Sequence, residues 1–402
     1  MNIEKLKEKL ESINSIIEIE YKNEKQIGVL DGLSGIALFQ FYYSKYLNVD
    51  EHADLGIEII TNCIAKINEG YKYPTFCSGI AGSGWVLDHL EQEGFITVDN
   101  DLLLSDLDQF IYELLISDMN EKKYDFLHSS IGYAFYFLNR YKNTKSNSLK
   151  NKYNEILIEF IHLLEEISEN ENENELKWES ELNMDTKERG YNFSLSHGMS
   201  SIIGILTKLY EFDEFKNITE HMLKGAINFL ISFKNKKEDS LSLFPSWVSK
   251  NELISYNSRL AWCYGDLGVG LRLLYASKVL NDKELECEAL KILKYSAKKR
   301  KKEESLVKDA ALCHGSFGNA QIFNRIYKET KDSIFKDAAI FWIQDGLDLA
   351  VHQDGFAGYK RWTPEGWYSD ISLLNGIAGI GLVILDHISD FDSNWDECLM
   401  IS

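Results

Sequence analysis

The sequence predicts an all-α protein, a two-layered helical barrel with seven buried inner helices and seven amphipathic outer helices. Three observations lead to this prediction. A pair of small residues followed by an apolar run occurs seven times along the chain, and amphipathic stretches lie between these repeats. The 402 residues also include only three prolines, as long helices require, because a proline inside a helix costs about 3 kcal/mol.

Each repeat has a polar residue, then two small residues spaced by three positions, then an apolar run. Five repeats have glycine at both small positions, whereas the third has Ser129 at the first position and the fourth has Ser201 at the second. Small residues at this spacing share one helix face and let a neighbouring backbone come close. The repeats begin at Asp31, Ser78, His128, His197, Tyr264, His314 and Asn375.

Amphipathic stretches between the repeats predict the outer helices, since one apolar face is enough to pack on a buried helix. The same pattern also fits an open helical solenoid. The irregular spacing of the repeats favours a closed ring with loop insertions. The amphipathic stretches cover residues 53–68, 102–118, 151–168, 217–233, 282–297 and 334–350.

Two segments depart from the repeat. Residues 168–194 are acidic and aperiodic, which predicts a long surface loop. Residues 234–259 contain short β-prone pieces, which indicate a small hairpin insertion. Residues 1–402 are otherwise predicted to form a single domain.

Charge and composition exclude some classes of function. The formal net charge is −20, which argues against nucleic acid as the main partner, because phosphate binding needs a basic surface. The N-terminus is charged and amphipathic, and no stretch reaches the roughly 18–20 apolar residues of a membrane span. We therefore expect a cytoplasmic protein without a transmembrane segment. Its six cysteines are then expected to be thiols, metal ligands or core residues.

One position of the repeat predicts a site. The residue just before the first small residue, here called the register position, is polar in all seven repeats. Equivalent positions of a ring occupy equivalent places, so these side chains should meet near one end of the barrel axis. Helix capping explains Asp31, Ser78 and Asn375 well. It explains the histidines and the tyrosine poorly.

The position before that holds a cysteine in two adjacent repeats, Cys263 and Cys313, and His314 follows the second one. Two thiolates and one imidazole form a Cys₂His zinc set with an open fourth position, as in catalytic zinc sites. Taken alone, this spacing is equally compatible with buried structural cysteines. Cys77 is a rival ligand in the same frame, but it lacks an adjacent histidine.

Three stretches resemble the lanthionine synthetase C-like family and its stand-alone lanthipeptide cyclases: "SLSHGMSSIIGIL" (194–206), "SRLAWCYGDLGVG" (258–270) and "LCHGSFGNA" (312–320). The resemblance extends over nearly the whole chain. It implies a double-layered α/α toroid of seven inner and seven outer helices. It also implies zinc held by Cys263, Cys313 and His314, and the closure of thioether rings in a precursor peptide by addition of a Cys thiol to dehydroalanine or dehydrobutyrine.

By motif position, the resemblance also implies four active-site residues, His197, Asp125, Arg259 and Tyr264. His197 is suited to donate a proton, Arg259 to stabilise a developing anion and Asp125 to orient His197. The chain departs from the family at Ser129, where glycine is usual. This departure makes His128 an additional polar group beside Asp125.

The resemblance implies a dehydrated precursor peptide, with leader and core, as the substrate. It leaves open whether a dehydratase and an ABC transporter are partners, and whether the chain associates peripherally with a membrane-bound biosynthetic complex. Two alternatives share the same zinc residues: a family member that adds glutathione or another thiol to dehydroamino acids, and a non-catalytic zinc- or peptide-binding scaffold. Toroids of this kind also include glycosidases, but no suitable pair of carboxylates stands out in the sequence.

Overall fold

The structure is a computed structural model that describes residues 3–183, 186–236 and 240–402, and it is mainly helical. No helix in these ranges combines the length and the hydropathy of a membrane span. The helices are α1 Ile3–Glu20, α2 Leu33–Leu47, α3 Asp50–Asn68, α4 Ile80–Gln92, α5 Asn100–Leu103, α6 Ser105–Asn120, α7 Ser130–Asn143, α8 Asn147–Glu166, α9 Met199–Tyr210, α10 Asp213–Ser232, α11 Asp266–Val279, α12 Lys283–Lys298, α13 Lys302–Ser305, α14 Ser316–Thr330, α15 Ser333–Asp348 and α16 Ile377–Ile388. The strands are β1 Glu169–Asn172, β2 Glu175–Lys177, β3 Ser180–Asn183, β4 Glu188–Asn192, β5 Trp247–Ser249, β6 Arg361–Thr363 and β7 Gly366–Tyr368.

Seven helices are buried along most of their length, and each one begins within one of the seven repeats, as predicted. They are α2, α4, α7, α9, α11, α14 and α16. In six of them the residue that precedes the helix is the first glycine of the repeat. These glycines are Gly32, Gly79, Gly198, Gly265, Gly315 and Gly376.

The second small residue of the repeat is required by the turn before each helix. A Cβ atom at Gly318 would overlap the carbonyl oxygen of Leu312, and one at Gly35 would overlap that of Val29. Both carbonyls lie six residues earlier in the chain. At these two positions the closest backbone is therefore the chain's own turn, and not a neighbouring helix as predicted from the sequence.

The amphipathic stretches form outer helices with one buried face, which confirms the prediction. Each of the six stretches overlaps one of α3, α6, α8, α10, α12 and α15, and α1 is the seventh. In α12, Leu285, Ala289 and Ile292 are buried at helical spacing. The Asp282 carboxylate begins that helix by accepting hydrogen bonds at 3.0 Å from the backbone N–H groups of Glu284 and Leu285.

The segment predicted as an acidic surface loop, residues 168–194, contains four strands instead. β1 pairs with β2 and β3 pairs with β4, both antiparallel. Trp178 anchors the segment, because its side chain is buried and its indole N–H donates to the Leu164 carbonyl at 2.8 Å. Few side chains of this segment are buried and many are acidic, so the composition hid the strands.

The hairpin predicted within residues 234–259 also differs. Its described residues contain one strand, β5, which pairs with β4 in a three-stranded antiparallel sheet, β3–β4–β5. The strand partner lies more than fifty residues away, and local β propensity cannot identify such a partner. The β6–β7 hairpin, in which Trp362 faces Trp367, was not predicted from the sequence.

The contacts divide the chain into two compact units. The first unit comprises residues up to Ile111, Lys142–Asn147 and residues from Lys308 onwards, and the second comprises Tyr112–Tyr141 and Ser148–Val307. In the first unit, α2 packs between α16 and α4, and α14 packs on α16. In the second, α9 packs on α10 and α11.

Backbone hydrogen bonds join the turns of neighbouring repeats within each unit. In the first unit, Cys313 N–H donates to Leu374 O at 3.0 Å, Leu374 N–H to Leu30 O at 2.8 Å, and Leu30 N–H to Cys77 O at 3.0 Å. All four residues directly precede a register position. Within this unit, equivalent positions of neighbouring repeats therefore lie side by side, as the repeat pattern predicts.

A buried ionic network in the first unit fixes α14 to the segment that follows α16. Arg325 donates two hydrogen bonds to the Asp396 carboxylate, at 2.6 and 2.9 Å, and lies 3.4 Å from Asp386. Gln321 donates to both carboxylates at 2.7 Å. Burial and the charge of Asp396 raise the pKa of Asp386. The Arg325 guanidinium is therefore the main positive charge opposing two buried acids.

Substitution Arg325→Met should destabilise the protein by about 3–5 kcal/mol, because it leaves two buried carboxylates without their cation. The measurement is the free energy of unfolding in urea. Lys328→Met on the same helix is the control, since Lys328 pairs at 3.3 Å with the exposed Asp392, and it should change stability by less than about 1 kcal/mol. Equal losses in the two variants would contradict the role of the network.

A second acidic cluster in the first unit surrounds the register position Asp31. Burial and the charges of Asp370 and Glu24 raise the pKa of Asp31 to about 6, although Arg361 and a hydrogen bond with Ser78 oppose the shift. In an unfolded chain the pKa of an Asp carboxyl is about 3.9. The Asp31 carboxyl therefore binds its proton more tightly in the folded chain than in the unfolded chain. The free energy of unfolding falls as pH rises from about 4 to about 6.

Substitution Asp31→Asn should remove this loss and stabilise the protein by about 1–2 kcal/mol at pH 7, with no gain at pH 3.5. Urea unfolding of both proteins across this pH range measures the difference. Asp54→Asn, on the exposed face of α3, is the control and should leave the pH profile unchanged. A gain that is the same at both pH values would contradict the assignment.

Candidate functional site

Two predicted active-site residues lie together in the second unit, in the turns before α7 and α9. The His197 Nδ1 atom is hydrogen-bonded to Oδ2 of Asp125, 72 residues earlier in the chain. The backbone N–H of His197 also donates to the Ser194 hydroxyl at 2.9 Å. The imidazole is therefore held from both its ring and its backbone. Its Nε2 atom is the ring nitrogen that remains for a substrate.

Asp125 also shapes its own turn. Its Oδ1 atom accepts the backbone N–H of His128 at 2.8 Å. In other repeats a hydroxyl three residues before the register position accepts the equivalent N–H, as Thr75 does for Ser78 at 3.2 Å. Asp125 does the same with one oxygen, and its second oxygen contacts His197.

The pKa of His197 lies above its ordinary value. Burial lowers this pKa, but the charge of Asp125, the hydrogen bond to Asp125 and the neighbouring Cys263 together raise it more. An imidazolium is therefore favoured relative to an isolated histidine. A protonated ring held by a carboxylate can donate a proton from Nε2.

His128 lies beside this pair. Its ring is stacked on that of His197, with 5.9 Å between ring centroids and 21° between ring planes. The residue is exposed on one side. Loss of hydration on its other side lowers the pKa of His128, helped by the charge of His197 and opposed by Asp125. His128 is thus the more readily neutral of the two imidazoles.

Tyr264 also lies near His197, with 6.4 Å between their ring centroids. Its hydroxyl accepts a hydrogen bond from the Asn192 amide at 3.2 Å. Burial raises the pKa of Tyr264, so its phenol keeps its proton and can donate. The indole of Trp247, partly exposed on β5, packs edge-on against the same ring at 6.4 Å.

The Trp-Cys-Tyr-Gly motif forms the turn before α11 in the second unit. Cys263 is buried, and its carbonyl accepts the Leu195 N–H at 2.9 Å, which brings this turn against that of His197. Gly265 has φ of +90°, a conformation that other residues resist. A Cβ atom there would also overlap the carbonyl oxygen of Arg259, and the partly exposed Arg259 begins the same turn.

Cys313 and His314 lie in the first unit, in the turn before α14. His314 Nε2 lies 3.4 Å from Oδ2 of the buried Asp309. The same carboxylate accepts backbone N–H groups from Trp362 at 2.8 Å and Ala311 at 3.1 Å. A carboxylate that orients one nitrogen of a histidine is typical of metal-binding histidines, whose other nitrogen binds the ion. The donor types of Cys263, Cys313 and His314 fit zinc.

Asp309 and Asn192 were not predicted as site residues, although the sequence contains a signal for them. Five residues before the register position, every repeat again has a polar residue. Arg259 is one of them. Asn192 contacts Tyr264, the register residue of the next repeat, and Asp309 contacts His314, the register residue of its own repeat. The seven residues are Gln26, Tyr73, Lys123, Asn192, Arg259, Asp309 and Asp370.

Comparison with solved structures identifies the fold. Nisin cyclase is similar to this chain with a TM-score of 0.75 and 19% identity, over 98% of this chain and 97% of that chain. This likeness confirms the predicted fold class, a mainly α toroid with small β elements. A sugar epimerase from a ruminal bacterium matches more weakly, with a TM-score of 0.45 and 12% identity over 97% of this chain and 100% of that chain. We infer nothing from the second match.

A family model for lanthionine synthetase C-like proteins matches residues 24–400. The match includes all seven repeats, and with them the two turns that contain Asp125 and His197. It also includes the two motifs that contain the candidate zinc ligands. Since the match covers nearly the whole sequence, the chain belongs to the lanthionine synthetase C-like family.

Proposed function

We propose that this protein is a zinc-dependent lanthipeptide cyclase. It adds Cys thiols of a dehydrated precursor peptide to dehydroalanine or dehydrobutyrine, and so forms lanthionine and methyllanthionine rings. The observation that carries the proposal is the Asp125–His197 pair, set beside the turn of the Trp-Cys-Tyr-Gly motif. That arrangement offers a proton donor next to a candidate thiol-activating residue in a chain of this family.

We propose that Cys263, Cys313 and His314 hold the zinc ion. The support comes from the shared frame of the two cysteines in adjacent repeats, from the family, and from Asp309 beside His314. When bound, zinc lowers the pKa of a coordinating thiol, so that the substrate cysteine reacts as a thiolate.

The remaining chemistry belongs to the side chains. A C–S bond forms at the β-carbon of the dehydroamino acid, its C=C bond breaks, and the electron pair moves to the α-carbon and its carbonyl. His197 Nε2 then delivers a proton to the α-carbon, while Asp125 holds Nδ1 and stabilises the imidazole orientation. In this proposal the Arg259 guanidinium and the Tyr264 hydroxyl stabilise the anion before it is protonated; both residues belong to the same unit as His197.

The proposed substrate is a leader–core precursor peptide. A dehydratase must supply it, because the reaction consumes dehydroamino acids that ribosomal synthesis does not provide. Association with that dehydratase, with an ABC transporter, or peripherally with a membrane-bound complex remains a prediction, as does the cytoplasmic location.

Substitution His197→Asn should lower the cyclisation rate by about 10²–10⁴-fold, because asparagine cannot donate the proton. The assay incubates the enzyme with a dehydrated, Cys-containing peptide and then alkylates the remaining thiols. Cyclisation conserves mass, so the loss of alkylatable thiols in the mass spectrum is the readout. His221→Asn on α10, where His221 pairs with Glu165 at 2.9 Å, is the control and should keep full activity.

Asp125→Asn should give a defect similar to that of His197→Asn, and the double variant should be no worse than either single variant, because the two residues act as one unit. Full activity in His197→Asn would exclude it as the proton donor. A parallel assay adds glutathione. If the enzyme joins glutathione to the dehydrated peptide while the peptide's own cysteines stay alkylatable, the ring-forming assignment is wrong and the alternative thiol-adding activity is favoured.

Substitution Cys263→Ala or Cys313→Ala should each remove the tightly bound zinc and the activity, with the helical circular dichroism retained. Metal analysis after dialysis against metal-free buffer measures the zinc, which should be near one equivalent in the wild type. Cys287→Ala, which alters an exposed cysteine of α12, is the matched control and should keep the zinc. Full retention in both ligand variants would rule out this ligand set.

A further inference from the structure

A second group of metal-ligand side chains lies in the second unit, apart from the cysteines. It consists of Asp125, His128 and His197. Each offers one ligand atom, and these atoms all lie within 4.8 Å of one another. Two imidazoles and a carboxylate are a common ligand set for first-row divalent metals.

The repeat explains why these residues meet. His128 and His197 occupy the register position of two adjacent repeats, the third and the fourth. Cys263 and Cys313 are related in the same way. They occupy the position just before the register position in two adjacent repeats, the fifth and the sixth. The architecture that places two thiols in matching frames thus also places two imidazoles in matching frames.

The three side chains are already held near one another. Asp125 is fixed through its Oδ1 atom by the His128 backbone N–H at 2.8 Å, and His197 is fixed by the Ser194 hydroxyl at 2.9 Å. The two rings are nearly parallel, 21° apart. Because His128 is exposed, an ion has a route to the group from solvent. Little ordering is needed to bring the ligands together.

We propose that Asp125, His128 and His197 form a second, weaker site for a divalent metal ion such as Zn²⁺, Co²⁺ or Ni²⁺. The ion takes the place of the proton that His197 Nδ1 and Asp125 Oδ2 share, and that proton is released to solvent. Imidazole ligands select these metals over Mg²⁺ and Ca²⁺, which prefer oxygen ligands.

Occupation of the second site has a consequence that rests on the proposed function. An ion on Nδ1 replaces the imidazolium of His197 by a metal-bound neutral imidazole, which holds its remaining Nε2 proton much more tightly and so is a poorer proton donor. The ion also removes Asp125 from its partner. Excess zinc should therefore inhibit cyclisation, while the zinc held by the cysteines remains necessary. The enzyme is then expected to have an optimum zinc concentration.

Equilibrium dialysis with Zn²⁺, followed by metal analysis, tests the site without using activity. The full-length Cys263→Ala/Cys313→Ala variant should still bind one zinc. Adding His128→Asn to this variant should weaken that binding by at least about tenfold, since a metal ligand is lost. His221→Asn is the matched control, because His221 contacts a carboxylate but belongs to neither group of three metal-ligand side chains found among the described residues. Excess Mg²⁺ should not displace the bound zinc.

Two results would overturn the second site. One is the absence of zinc binding in the double cysteine variant, provided that its circular dichroism shows a folded protein. The other is zinc binding that His128→Asn leaves unchanged.

A cyclase assay then tests the inhibitory role: excess zinc should slow the wild type more than it slows His128→Asn, each relative to its own rate without added zinc. Dialysis results stand even if the protein proves to have no cyclase activity, so the two proposals fail separately.

Discussion

The backbone hydrogen bonds between the turns of neighbouring repeats are the constraint on which the candidate site depends. Leu195 N–H reaches Cys263 O in one unit, and Leu374 N–H reaches Leu30 O in the other. These bonds involve no side chain, and in six of the seven repeats a glycine follows the register position, where a Cβ atom would overlap nearby backbone or side-chain atoms. The side chain at the register position can therefore change from serine to histidine or tyrosine while the turn is kept. The chemical character of the register side chain thus varies among the repeats, while the backbone of the turn stays the same.

Asp125 shows how one substitution can convert a structural turn into a chemical group. A serine or threonine at this position has one oxygen, and in the equivalent turns that oxygen accepts the backbone N–H. A carboxylate has two oxygens, so it keeps the turn and still contacts His197. The resulting charge raises the pKa of the neighbouring imidazole. The local fold and the acid–base chemistry thus meet in a single side chain.

The helices could be predicted from the sequence because the repeat and the amphipathic faces are local patterns. Resemblance named the Asp125–His197 pair, but the shared turn chemistry that positions Asp125 appears only in the structure. β5 was misjudged because its partner β4 is remote in sequence. Asp309 was overlooked because it lies five residues before His314, and only the structure shows that its side chain points to that ring. Long-range pairing and side-chain direction are what the sequence alone did not provide.

The division of the chain into two units has a consequence for the order of folding during synthesis. The second unit comes from residues 112–307 with only Lys142–Asn147 left out, whereas the first unit needs residues up to Ile111 together with residues from Lys308 onwards. On the ribosome, the earlier half of the first unit must wait, with the apolar face of α2 without its partner α16, until the later half emerges. This interval exposes apolar surface to aggregation and to chaperones, which the continuous unit avoids.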